Sequence, residues 1–220
     1  MRRLVTPFLT TLALLCLTVG LGIWQLHRLA WKTHLLAQID AAERFPAIPL
    51  PAVPAPFQKI VVQGRLDAAR AVSYADDVRD DAHGNPVMGT YLVEPLLRPG
   101  QPPILVDLGW TRYPPTPVVG TVSVTGYVRP AEHPGWLSAK DDPVRRRFYT
   151  LDPMRIALAT GLPTPTPYLV VALGGAGTPE PSHSLPRPPN DHLEYAITWF
   201  SLGLIALVMF LVWARGALRR

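Results

Sequence analysis

Two stretches of the chain contain almost no polar positions, and the region between them alternates. Residues 7–26 form an uncharged, apolar run of about 20 residues, the length at which a helix crosses a hydrocarbon core of about 30 Å. Residues 197–214 form a second run of about 18, extended to 195–214 if Tyr195 and Trp213 serve as interfacial anchors. Between the runs the period shortens to that of strands. The stretches 57–66 (F-Q-K-I-V-V-Q-G-R-L), 71–74, 87–97, 104–110 and 168–173 carry strand signals, and 121–128 reads as a half-buried strand with a glycine kink. His83-Gly84-Asn85-Pro86 and Arg98-Pro99-Gly100-Gln101 supply turns. One short helix is predicted after Asp152 as cap, with Pro153 at its first position and Gly161 at its end.

The pattern predicts a membrane α+β protein. Transmembrane helices at 7–26 and 195–214 flank one β-rich antiparallel domain, 27–194, with one or two short helices and a proline-rich linker at 46–56. Arg2 and Arg3 before the first run also suit a signal peptide. However, no A-x-A-like site follows, and the helical pattern continues through Trp24, Arg28 and Trp31, which favours a retained anchor.

Composition sharpens this picture in three places. Every proline except Pro7 lies between the spans, which favours short strands and extended connections over a helical bundle. Cys16, the single cysteine, lies inside the first span, so no disulfide framework and no thiolate metal site is expected. The net charge of +5 needs no nucleic acid to explain it. Arg2, Arg3, Arg215, Arg219 and Arg220 lie outside the two spans, whereas Arg28, Lys32, Arg44 and Arg187 flank them on the inside. The terminal charges are the denser set, so both termini are expected in the cytosol, against an anionic membrane surface, with the central domain periplasmic.

Chemistry-bearing residues concentrate at the two helix ends facing the central domain. With Asn190 as cap, His192 would sit in the first turn of the second helix, where the helix dipole favours a neutral imidazole able to ligate a metal. Tyr195, Ala196 and Trp199 follow on its face. On the first helix Trp24, Arg28 and Trp31 share a face, and Arg28 could pair with a carboxylate. Spacing alone fits snorkelling arginine and an aromatic belt at least as well. The other histidines have no metal-ligand spacing, and no serine elbow is present. Asp76-Asp77 and Asp80-Asp81 read as a solvated acidic loop, Arg145-Arg146-Arg147 as a basic turn, and Gly174-Gly175-Ala176-Gly177 as a loop without a phosphate-binding helix after it.

Three motifs together resemble the Surfeit locus protein 1 family of cytochrome c oxidase assembly factors. L-G-I-W-Q-L-H-R-L-A-W-K at 21–32 is similar to the family's first-helix exit. P-I-L-V-D-L-G-W at 103–110 resembles its central strand, and P-N-D-H-L-E-Y-A-I-T-W-F at 189–200 resembles the start of its second helix. Leu108 stands where the family usually has arginine. The resemblance implies a non-catalytic, multi-pass protein of the bacterial inner membrane that binds haem a and delivers it to the oxidase catalytic subunit. His192 would be the axial ligand to the haem iron, with Trp24, Gln25, Arg28, Tyr195 and Trp199 around it. Implied partners are the cytochrome c oxidase catalytic subunit, haem a synthase and the lipid membrane, with self-association left open by the sequence. The alternative is a scaffold that stabilises an oxidase assembly intermediate without haem. A two-anchor sensor is disfavoured, since the short tails carry no output domain.

Overall fold

The computed structural model describes residues 2–81, 83–174 and 177–219, with side chains from residue 4. Gly175 and Ala176 of the glycine run, Arg220, and the side chains of Arg2 and Arg3 lie outside the described residues. The chain divides into two units, 1–38 with 187–220 and 39–186.

The first unit is a pair of helices. Helix α1 spans Arg2–Arg44, well past the apolar run at 7–26. Residues 27–44 are rich in Ala and Leu, which sustain a helix, and Phe45-Pro46 stops it because the residue before proline avoids helical backbone. Two more α-helices follow among the described residues, besides one 3-10 turn at Ala68–Arg70. Helix α2, Pro153–Thr160, belongs to the second unit, and helix α3, His192–Leu218, completes the first. Both α1 and α3 are long and apolar enough to cross a membrane.

The second unit is built on one sheet of eight strands: β1 Ile48–Pro49, β2 Lys59–Leu66, β3 Val72–Asp80, β4 Pro86–Arg98, β5 Gln101–Arg112, β6 Gly120–Pro130, β7 Arg147–Phe148 and β8 Tyr168–Ala172. Their order is β1-β2-β6-β8-β5-β4-β3-β7, and a further pairing of β2 with β4 (Leu66 opposite Leu96) closes β2, β6, β8, β5 and β4 into a ring. Successive residues of the central strands pack into separate clusters. Ile104 and Val106 join Ile60, Val62, Val124 and Val170 in one, while Leu105 and Leu169 join Phe148, Leu151 and Ile156 of α2 in the other. Both faces of β5 are therefore covered, which explains its unbroken apolar run.

Three sequence expectations change. The sheet is not wholly antiparallel: β8 enters beside β5 in parallel, and β1 and β7 also pair in parallel with β2 and β3. Strand β3 continues to Asp80, through the residues expected to form a solvated acidic loop, with a bulge between Tyr74 and Asp77. Its carboxylates are matched by cations, Asp76 by Arg147 and Asp77 by Arg79, so they do not require solvent. Within the expected basic turn, Arg147 is a strand residue that bonds Asp76 and lies over the rings of Tyr113 and Tyr149.

Strand β5 carries a further bulge. Leu92 pairs with Gly109 and Val93 with Asp107, leaving Leu108 as the extra residue, half-buried against the barrel cluster. Gly109 has φ +114° and lies so close to the backbone of Glu180 that a Cβ would be 1.9 Å from the Glu180 carbonyl oxygen.

Candidate functional site

The inward positions of the helix pair repeat at alternating steps of three and four. On α1, Thr18, Gly22 and Gln25 are buried; on α3, Ala196 and Gly203 are buried and His192 and Trp199 half-buried. This is the spacing of a packed helix seam, and its small residues bring the two backbones close. A Cβ on Gly22 would lie 2.7 Å from the Phe200 ring, and one on Gly203 would lie 2.7 Å from Oγ1 of Thr18. Further along, the rings of Phe8 and Phe210 lie 6.0 Å apart. Contacts at 22 with 200, 18 with 203 and 8 with 210 run in opposite directions along the two helices, so the pair is antiparallel.

His192 is the first residue of α3, and its ring turns into the seam. Nδ1 lies 2.7 Å from Oε1 of Gln25, the last buried seam residue of α1 in this stretch. With the amide oxygen facing the ring, Nδ1 is the donor of this bond, and Nε2 points away from Gln25 as the second ring nitrogen. The expected cap is displaced by one residue. Asp191 occupies the N-cap position without a side-chain cap bond, and Asn190 Nδ2 instead donates to Thr33 Oγ1 of α1 at 3.3 Å. Two polar contacts thus tie the start of α3 to α1.

The remaining expected site residues are distributed around this contact. Trp24 and Tyr195 face outward, 53% and 58% exposed. Arg28 lies one turn beyond Gln25 and rests its guanidinium over the ring of Trp31, 4.5 Å from the centroid, a cation–π pair within α1. Trp199 lies on the seam with Ala196 rather than beside Tyr195. The structure brings His192 and Gln25 together, and among the described residues no hydrogen bond or ion pair joins Arg28 to either. Periodicity within one helix did not reveal this pairing. The steps 18, 22, 25 and 196, 199, 203 were the signal that would have marked the seam.

Among the described residues no group of three His, Cys, Asp or Glu side chains converges to hold a metal ion. A single imidazole nitrogen amid outward aromatic and aliphatic groups suits a different chemistry. It supplies one metal-ligating atom, and Arg28, one turn along α1 from Gln25, is a cation whose fork matches a carboxylate.

Comparison with known proteins places this geometry in context. The model of the SURF1 family matches residues 12–204. The chain is 29% identical to Surfeit locus protein 1 of Rattus norvegicus, over 91% of this chain and 72% of that protein. It is 26% identical to a SURF1-like protein of Rickettsia felis, over 96% of this chain and 97% of that one. It is also 27% identical to Surfeit locus protein 1 of Homo sapiens, over 91% of this chain and 74% of that one.

Proposed function

Because the chain belongs to the SURF1 family, we propose that it is an assembly factor for cytochrome c oxidase that holds haem a at the start of α3 and passes it to the oxidase catalytic subunit. In this reading it is a two-span protein of a bacterial inner membrane, with both termini in the cytosol and residues 28–194 in the periplasm. The observation that carries the haem assignment is the contact between His192 and Gln25, which fixes the ring and leaves Nε2 for iron. Haem is cargo here and the chain catalyses no reaction. His192 supplies the axial nitrogen, Arg28 a cation for the propionates, and Trp24, Tyr195 and Trp199 apolar surface for the macrocycle. One protein ligand and an open flank suit a carrier, since a cargo that must leave is held with moderate affinity.

Partners in this reading are the oxidase catalytic subunit, the haem a synthase that supplies the cargo, and the surrounding lipid. The test is the visible spectrum of the detergent-purified chain with and without added haem a. A Soret band that is lost in His192→Ala supports the carrier; a colourless protein that still co-purifies with the oxidase would establish the non-haem scaffold instead.

A further inference from the structure

The sheet unit contains a cavity of about 490 Å³ that the haem reading does not use. Its floor is a row across three neighbouring strands: Asp107 of β5 pairs with Val171 of β8, which pairs with Tyr127 of β6. Tyr74, Tyr91 and Arg129 form walls, and Glu180 lies at one side. Asp107 and Tyr127 are 3% and 4% exposed, and both line this space. Among the described residues, the only hydrogen bond to the Asp107 carboxylate is the Gly109 N–H on Oδ1, at 3.0 Å, and no protein group bonds the Tyr127 hydroxyl. The second carboxylate oxygen of Asp107 and the Tyr127 hydroxyl, on two almost wholly buried side chains, therefore have no protein partner among the described residues, and both residues line the same cavity.

The charges around the cavity are unequal. Arg79 is matched by Asp77 and Glu180, and Arg129 by Glu132, so neither guanidinium is left for an anion. Asp107 is the additional charge. Its role as acceptor for Gly109 N–H does not explain it, because a neutral asparagine would accept the same bond. Burial pushes its carboxyl up to about 6, against the opposing pull of Gly109 N–H and Arg129. Carrying that charge costs stability, and such residues concentrate at functional sites. One carboxylate and one phenol are too few oxygens for a calcium ion, which takes six to eight.

We infer that this cavity binds a primary alkylammonium group, carried by a small amine or by a lysine side chain, with its nitrogen between Asp107 and Tyr127. An ammonium has three donors and no acceptor, so it satisfies both oxygens and neutralises the carboxylate, while Ala75, Val171 and Pro181 line space for its alkyl chain.

Calorimetric titration of the full chain in detergent and amine-free buffer tests this, with putrescine and Nα-acetyl-lysine amide as separate ammonium probes and glutarate as the anionic control. Saturable binding of at least one ammonium probe is expected, and the better of the two identifies the source. Asp107→Asn should weaken that binding by about tenfold or more while retaining a cooperative thermal transition, and Tyr127→Phe should weaken it to a smaller extent. No saturable heat from either ammonium up to about 10 mM, undiminished binding by both variants, or preference for glutarate would overturn the assignment.

Discussion

Nδ1 of His192 and Oε1 of Gln25 are 2.7 Å apart although 167 positions separate them in the chain. The bond orients the imidazole from behind, so Gln25 should act by positioning and His192 by contact. Replacing His192 with alanine should abolish or sharply shift the Soret band of the haem-loaded protein at normal membrane levels. Replacing Gln25 with alanine should leave the band present but weaken haem binding by about five- to tenfold, the range of one neutral hydrogen bond. An unaltered spectrum in His192→Ala would remove the ligand assignment.

Arg28 rests on Trp31, and among the described residues no hydrogen bond or ion pair engages its donors, so they can meet a carboxylate. Arg28→Ala is expected to reduce haem affinity by one to two decades, the range for a charge-assisted bond of roughly 1.5–3 kcal/mol. Arg28→Lys should recover only part of this. If haem titrates Arg28→Ala as it does the parent protein, the arginine is an interfacial anchor and nothing more.

The seam sets a third expectation. At Gly203 a side chain would meet Thr18, so Gly203→Leu should force the helices apart and loosen the His192–Gln25 contact from a distance. Haem affinity should fall without any change at the ligand. Normal affinity in Gly203→Leu would show that the start of α3 is held by its own local contacts.

The proposed orientation rests on the terminal arginines and the two apolar helices. Alkaline phosphatase fused after residue 120 should be active, and fused after residue 219 silent. The reverse pattern would place the sheet unit in the cytosol and remove the periplasmic reading.

Asp107 gives a pH dependence whose sign can be worked out. Folded, its carboxyl keeps its proton up to about pH 6, whereas the ordinary value is 3.8. Between those values the folded state binds more protons than the unfolded one, so this group makes stability fall as pH rises through that window. At about 1.4 kcal/mol per unit, the loss near neutral pH is roughly 3 kcal/mol. Thermal unfolding in amine-free buffer should therefore find Asp107→Asn more stable than the parent at pH 7.5, with the margin closing towards pH 4. Parallel profiles would mean that the carboxylate is solvated.

Some of this protein is written locally and was legible in the chain. The apolar spans are composition over a fixed length. Helix α2 is a cap-to-cap unit: Asp152 accepts from the N–H groups of Met154 and Arg155, and Gly161 ends the helix in the left-handed region at φ 67°. Most strands were visible because one residue in two faces a core. His192, Gln25 and Arg28 were legible as members of motifs expected to lie near one another, though the bond between His192 and Gln25 was not.

What the sequence left open is what depends on distant partners. Asp76 and Asp77 read as loop residues because isolated carboxylates prefer water; in the fold Arg147 reaches Asp76, and the Tyr91 hydroxyl donates to Asp77 from the neighbouring strand. The parallel insertion of β8 between β5 and β6 and the closure through β2 and β4 leave no periodic trace, since direction and neighbour are not encoded in alternation. The same holds for the two clusters of chemistry. Gln25 meets His192 only because small residues let α1 and α3 approach, and Asp107 and Tyr127 fall in one row only through Val171 of β8, inserted between their strands. Local propensity decided the elements, and packing between distant segments decided which side chains share a site.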